Sequence, residues 1–221
     1  MIVVVDYGVN NLASVVRALA ASGHPAQLTG DPDEVRRADR VLLPGVGNFG
    51  LGSRTLGSTG LGQAIKETAA AGRPLLGICL GLQLLFETSE EAPDAHGIGI
   101  LPGRVRRFSS RLPVPHVGWA KVDLTDAGRK HPVLASTFPD GAQFFYHVHS
   151  YYPTSLPPAA VLGTGDYGGV FATLVGEGTV IGAQFHPEKS QVAGIRLLAT
   201  SSCFARAART GSSCSSTTAP V

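Results

Sequence analysis

Cys79, His186 and Glu188 are the residues of this 221-residue chain whose types and settings suit them to act together. Cys79 stands in RPLLGICLGLQLLFE (73–87), flanked by Gly77 and Gly81 inside an otherwise apolar run. A glycine two residues to either side of a nucleophile, between a strand and a helix, is the spacing of a nucleophile elbow, here in a cysteine version. The turn carries a strained backbone, and glycine is needed where a Cβ would strike the neighbouring strand and helix. A thiol held there sits at a helix N-terminus, where the dipole favours thiolate. The N–H of Leu80 can then point at a developing oxyanion. The competing reading is a cysteine that only fills a core, as many do. The paired glycines favour the nucleophile.

A thiol nucleophile needs a base. Of the seven histidines, His24, His96 and His131 stand in turn-like surroundings, and His116, His147 and His149 on predicted strands. His186, in IGAQFHPEKSQ (181–191), follows an apolar strand with Glu188 two residues on. In extended chain, positions i and i+2 project to the same side. The carboxylate is therefore placed to orient the imidazole and stabilise its protonated form. A second oxyanion donor is expected from PGVG (44–47), where glycines on both sides of Val46 leave its peptide free to turn its N–H inward. An ordinary glycine turn is the alternative there.

The elements that must hold these residues alternate. IVVVD (2–6) predicts a buried strand, residues 10–23 a helix capped by Asn10 or Asn11, and PAQLTG (25–30) a weak strand. Asp31, Pro32 and the acids after them predict a short helix over 31–38. A strand runs from 40 into the glycine loop, then come a helix over 61–72, a strand over 73–79 and a helix over 80–91. Such alternation predicts a parallel sheet with helices on both faces. From Gly97 the chain turns strand-rich, through 97–108, 115–124, 144–152 and 168–187, which predicts antiparallel hairpins added to the same sheet. A last helix is expected over 191–208. The whole predicts a three-layer α/β fold, with a mainly parallel central sheet and added antiparallel strands. One domain spans 1–207, and the Ser/Thr-rich stretch 208–221 is expected to be a disordered tail.

Composition narrows the function classes. Hydrophobic residues make up 43% against 15% charged, a core-forming balance. A net charge of +2 argues for neither nucleic acid nor an anionic membrane. No apolar run is long enough to span a bilayer, and the N-terminus does not read as a signal peptide. Three unevenly spread cysteines make no disulfide framework and no zinc-type spacing, which fits a reducing, cytoplasmic setting.

PGVGNFG, GICLGLQLLF, VPHVGWAKV, FYHVHSYY, TGDYG and QFHPEKSQ follow one another in this order. Together they resemble the class I glutamine amidotransferases with a Cys-His-Glu triad. DYGVNNLASV near the start and HPEKSQ near the end are similar to the glutaminase subunits of imidazole glycerol phosphate synthase, over roughly residues 1–198. The resemblance implies that Cys79 attacks the side-chain amide of L-glutamine, that His186 carries the proton and that Glu188 holds His186. It implies an oxyanion hole of the Val46 and Leu80 N–H groups, and a glutamine pocket of Gly45, Val46, Gly47, Gln83, Ser150 and Tyr151. It implies no cofactor and no metal. The ammonia would pass to a separate (β/α)8-barrel cyclase in a heterodimer, which converts PRFAR to imidazole glycerol phosphate and AICAR in histidine biosynthesis. Trp119, Tyr146 and Lys189 match family positions near that interface, and glutaminase activity would depend on the partner and its ligand. The sequence departs from the family pattern at Asn10 and Ala120, where glycine and asparagine are usual, and at its C-terminus. Another class I amidotransferase, a γ-glutamyl hydrolase of the same fold, and a silent regulatory subunit remain the alternatives.

Overall fold

Four consecutive β-branched or apolar residues, all buried, make β1 (Ile2–Val5) a strand covered on both faces. A computed structural model describes residues 1–8, 12–109 and 111–210, with side chains as far as 201. The expected capping residues Asn10 and Asn11 and the segment 211–221 lie outside the described residues. Helix α1 (Leu12–Ala21) turns Leu12, Val15 and Leu19 inward, and β2 (Ala26–Thr29) follows. In α2 (Pro32–Arg37) the Asp31 side chain accepts from the Asp33 N–H at 2.8 Å, with proline in the first turn. Next come β3 (Arg40–Gly45), α3 (Phe49–Ser58), α4 (Leu61–Ala70), β4 (Leu75–Cys79) and α5 (Leu80–Gln83).

Two of these depart from expectation. Helix α3 was not predicted, because its sequence FGLGSRTLGS carries three glycines and little helix propensity. Tertiary packing forms it: Phe49, Gly50, Gly52 and Leu56 are buried, and Asn48 caps its start. Conversely, the helix expected over 80–91 stops at Gln83. Leu84, Leu85 and Phe86 are all fully buried, so no solvent face remains for a helix to present. Their carbonyls turn instead to the next segment. Ile98 N–H donates to the Leu84 carbonyl at 2.7 Å, and Ile100 N–H to that of Leu85 at 2.8 Å.

The second half supplies β5 (Arg104–Arg107), β6 (His116–Leu124), α6 (Asp126–Lys130), β7 (Ala142–His149), β8 (Tyr151–Thr154), β9 (Val161–Asp166), β10 (Val170–Glu177), β11 (Val180–Ala183) and α7 (Gln191–Thr210). The nine-stranded sheet runs β2-β1-β3-β4-β11-β10-β9-β6-β7. Its β2, β1, β3, β4 and β11 pair in parallel, and the strands beyond β11 pair antiparallel. The expectation that all later strands join one sheet needs correction. β5 and β8 pair with each other as a separate antiparallel ribbon.

Alternation along the parallel strands splits the core in two. Ile2, Val4, Leu42 and Leu76 face α1 and α7, and Val3, Val5, Val41 and Leu75 face α2, α3 and α4. The result is the three-layer arrangement, and it leaves the carboxyl ends of β3, β4 and β11 side by side, where α/β sheets place ligands. Among the described residues no helix is long and apolar enough to cross a membrane.

Candidate active site

Cys79 ends β4 with φ 54° and ψ −110°, a conformation few non-glycine residues hold. The glycines around it are required by contact. A Cβ on Gly77 would lie 2.9 Å from the Leu82 backbone, and one on Gly81 would lie 1.7 Å from the Leu43 carbonyl. The turn thus packs flush against its own helix and against β3. It does not lift the cysteine clear of the protein. Cys79 is only 7% exposed, at a cavity of about 320 Å³.

His186 reaches this cavity from beyond β11, with Glu188 behind it on the imidazole. The His186 Nδ1 lies 2.8 Å from Glu188 Oε1, and both side chains are 1% exposed. Nδ1 is therefore committed to the carboxylate, which leaves Nε2 for the thiol. Burial alone would lower the His186 pKa, but contact with Cys79 and Glu188 outweighs it and raises the value to about 9. The backbone is pinned as well. His186 N–H donates to the Tyr146 carbonyl at 2.9 Å, and Ser190 Oγ donates to the His186 carbonyl at 2.6 Å.

Gly45 pairs in register with Cys79, so Val46 follows directly beside the nucleophile. Val46 and Gly47 line the cavity with Leu80, Gln83, Ser150 and Tyr151. Gly45 does not line it. A Cβ there would meet the Tyr7 hydroxyl at 2.3 Å and the Gly81 nitrogen at 2.9 Å, so its role is close packing. Trp119, Tyr146 and Lys189 stand apart from the cavity but together. Trp119 and Tyr146 are cross-strand partners with ring centroids 6.3 Å apart, and Lys189 Nζ lies 6.0 Å from the Tyr146 ring. Trp119 is 48% exposed and is joined by exposed Val117 and Phe144. Ala120 alternates to the opposite face of β6, away from Trp119.

Three further residues belong here that sequence reasoning missed. Glu91 lines the cavity, and its Oε2 accepts the Phe49 N–H at 2.6 Å. His149 lines it too, with Nδ1 2.8 Å from the Tyr151 carbonyl, and burial pushes its pKa well down. Gln184 is fully buried, with its Nε2 3.7 Å from Cys79 Sγ. A polar residue inside the apolar run VIGAQF was the available signal for Gln184. A larger cleft of about 520 Å³, bordered by Lys130, His131 and Glu177, contains none of these residues.

The sequence matches the family model for glutamine amidotransferase class-I over residues 3–201. A relative from Symbiobacterium thermophilum, named imidazole glycerol phosphate synthase subunit HisH, is 46% identical, covering 90% of this chain and 91% of its own. Its namesake from Moorella thermoacetica is 45% identical, covering 89% and 91%. Among solved structures, PurLQS from Thermotoga maritima superposes with a TM-score of 0.71 at 18% identity, over 92% of this chain and 97% of the other, a likeness of fold.

Proposed function

The chain belongs to the class I glutamine amidotransferases, among the HisH subunits of imidazole glycerol phosphate synthase, and from that membership we infer that it is the glutaminase of that enzyme in histidine biosynthesis. The observation that carries the reading is a strained, cavity-facing Cys79 beside a His186 already paired to a buried Glu188.

Ionisation of Cys79 passes its proton to His186 Nε2, and Glu188 stabilises the imidazolium. The thiolate attacks the side-chain carbonyl carbon of glutamine. The oxyanion so formed is received by the N–H groups of Val46 and Leu80, the latter a first-turn amide with no carbonyl of its own helix to bond. Collapse breaks the C–N bond as His186 gives its proton to the leaving ammonia. A water then attacks the thioester, with His186 as base, and glutamate leaves. Glutamine also carries an α-ammonium, and Glu91 at the cavity wall is the carboxylate suited to it.

The ammonia goes to a cyclase subunit, which we take to be a (β/α)8-barrel bound as a heterodimer. The Trp119, Tyr146 and Lys189 face suits that contact, since an exposed aromatic beside a cation is a common interface anchor. The described residues act as one domain, in which α7 runs past the expected boundary at 207 to Thr210, in the cytoplasm, where a thiol nucleophile stays reduced. The test is glutamate release from the chain mixed with its cyclase partner and a PRFAR-like ligand. Cys79→Ala is expected to abolish it, and retained release would sink the assignment.

A further inference from the structure

Gln184 has no part in the mechanism above, although it is fully buried between β11 and His186. Burying a primary amide is unfavourable unless its polar atoms find partners. Its Oε1 accepts from Gln83 Nε2 at 3.2 Å, and its Nε2 lies 3.7 Å from Cys79 Sγ. Gln83 Nε2 also donates to the Tyr151 carbonyl at 3.3 Å. That last contact orients the whole chain. A backbone carbonyl only accepts, so Gln83 turns its nitrogen toward Tyr151 and toward Gln184. Gln184 must meet that nitrogen with its oxygen, which leaves its own N–H aimed at sulfur. The Val148 carbonyl lies 4.0 Å from the same sulfur and can serve only the neutral thiol, as acceptor. The Gln184 amide serves the anion.

We propose that Gln184 is a catalytic residue of this site, donating to the Cys79 sulfur so that thiolate is favoured over thiol, and that Gln83 is a positioning residue that fixes the orientation of that amide. This rests on Cys79 being the nucleophile. A hydrogen bond to the charged form strengthens as the thiol proton moves to His186, because its acceptor has become an anion. The same bond assists the second half of the reaction. When water attacks the thioester, the C–S bond breaks and the electron pair leaves on sulfur, again as thiolate facing Gln184.

The experiment is the pH dependence of Cys79 alkylation by iodoacetamide in the full chain, quantified on the Cys79 peptide so that Cys203 and Cys214 do not contribute. Gln184→Met and the size-matched Gln184→Glu are expected to move the midpoint upward by about one unit, so that labelling below it slows about tenfold while the alkaline plateau is kept. Gln83→Met is expected to shift it less and in the same direction. Midpoints equal to that of the unsubstituted chain in both Gln184 variants would overturn the proposal. Where a variant fails to fold, the unsubstituted chain gives the answer. The side-chain amide resonances of Gln184 are expected to titrate with the alkylation midpoint, and resonances fixed through it overturn the proposal equally. The two readings fail separately. Glutamate release surviving Cys79→Ala removes the nucleophile, whereas a Cys79-dependent release with unshifted midpoints removes only the role of Gln184.

Discussion

Glu188 touches His186 on the nitrogen that does not face the thiol, and that position defines what its replacement should do. It is among the groups that hold the His186 pKa at about 9 against the downward pull of burial. Glu188→Gln keeps the size and an oxygen acceptor but removes the charge. The His186 pKa is then expected to fall, and partner-stimulated glutamate release to fall roughly 10²–10⁴-fold, by analogy with other triads that lose their third member. KM for glutamine should change little, because the carboxylate does not line the substrate cavity. Steady-state kinetics with a histidine titration by NMR separates the outcomes. A large rise in KM with kcat preserved would show that Glu188 shapes the pocket instead of holding the base.

At the scale of elements, the turn around Cys79 is held by atoms that meet where a side chain would have to be. Gly81→Ala puts a Cβ 1.7 Å from the Leu43 carbonyl, a backbone atom of a central strand that cannot swing aside. The expected destabilisation is ~3 kcal/mol in equilibrium denaturation. Gly57→Ala, in α3 where nothing lies within 4 Å, is the control expected to be neutral or slightly stabilising. Equal stability of the two variants would contradict the packing account of the elbow. The same packing explains what could be read in advance. The elbow glycines, the β1, β3 and β4 runs and the Asp31 cap are local signals, so residue type alone reveals them. Helix α3 and the early end of α5 are decided by long-range burial, which no window of sequence contains. Glu91 was hidden for the same reason, because only the early end of α5 at Gln83 lets the chain carry it to the cavity wall. Gln184 was hidden because its partners, Gln83 and Cys79, are 101 and 105 residues distant.

Across the whole molecule, the buried imidazoles set opposing limits on stability. Burial lowers the pKa of His147 to about 4, with its Nε2 2.9 Å from Thr173 Oγ1 in the interior. Burial likewise lowers that of His149. Unfolding frees both to take a proton near the ordinary 6.5, so the unfolded chain binds more protons between about 4 and 6.5 and stability rises with pH there. His186 works in the other sense. Its pKa is raised from 6.5 to about 9, so the folded chain holds the extra proton. That contribution is fully present below 6.5 and is lost as pH rises through about 9. The two limbs meet near pH 6.5, which is where maximum stability to urea is expected. Each limb has its own lever. Glu188→Gln should flatten the alkaline limb, because it removes one of the groups that raise His186, and His147→Phe should flatten the acid limb. Denaturation midpoints at closely spaced pH values decide the matter. An alkaline limb that keeps its slope in Glu188→Gln would mean that the His186 pair does not set it.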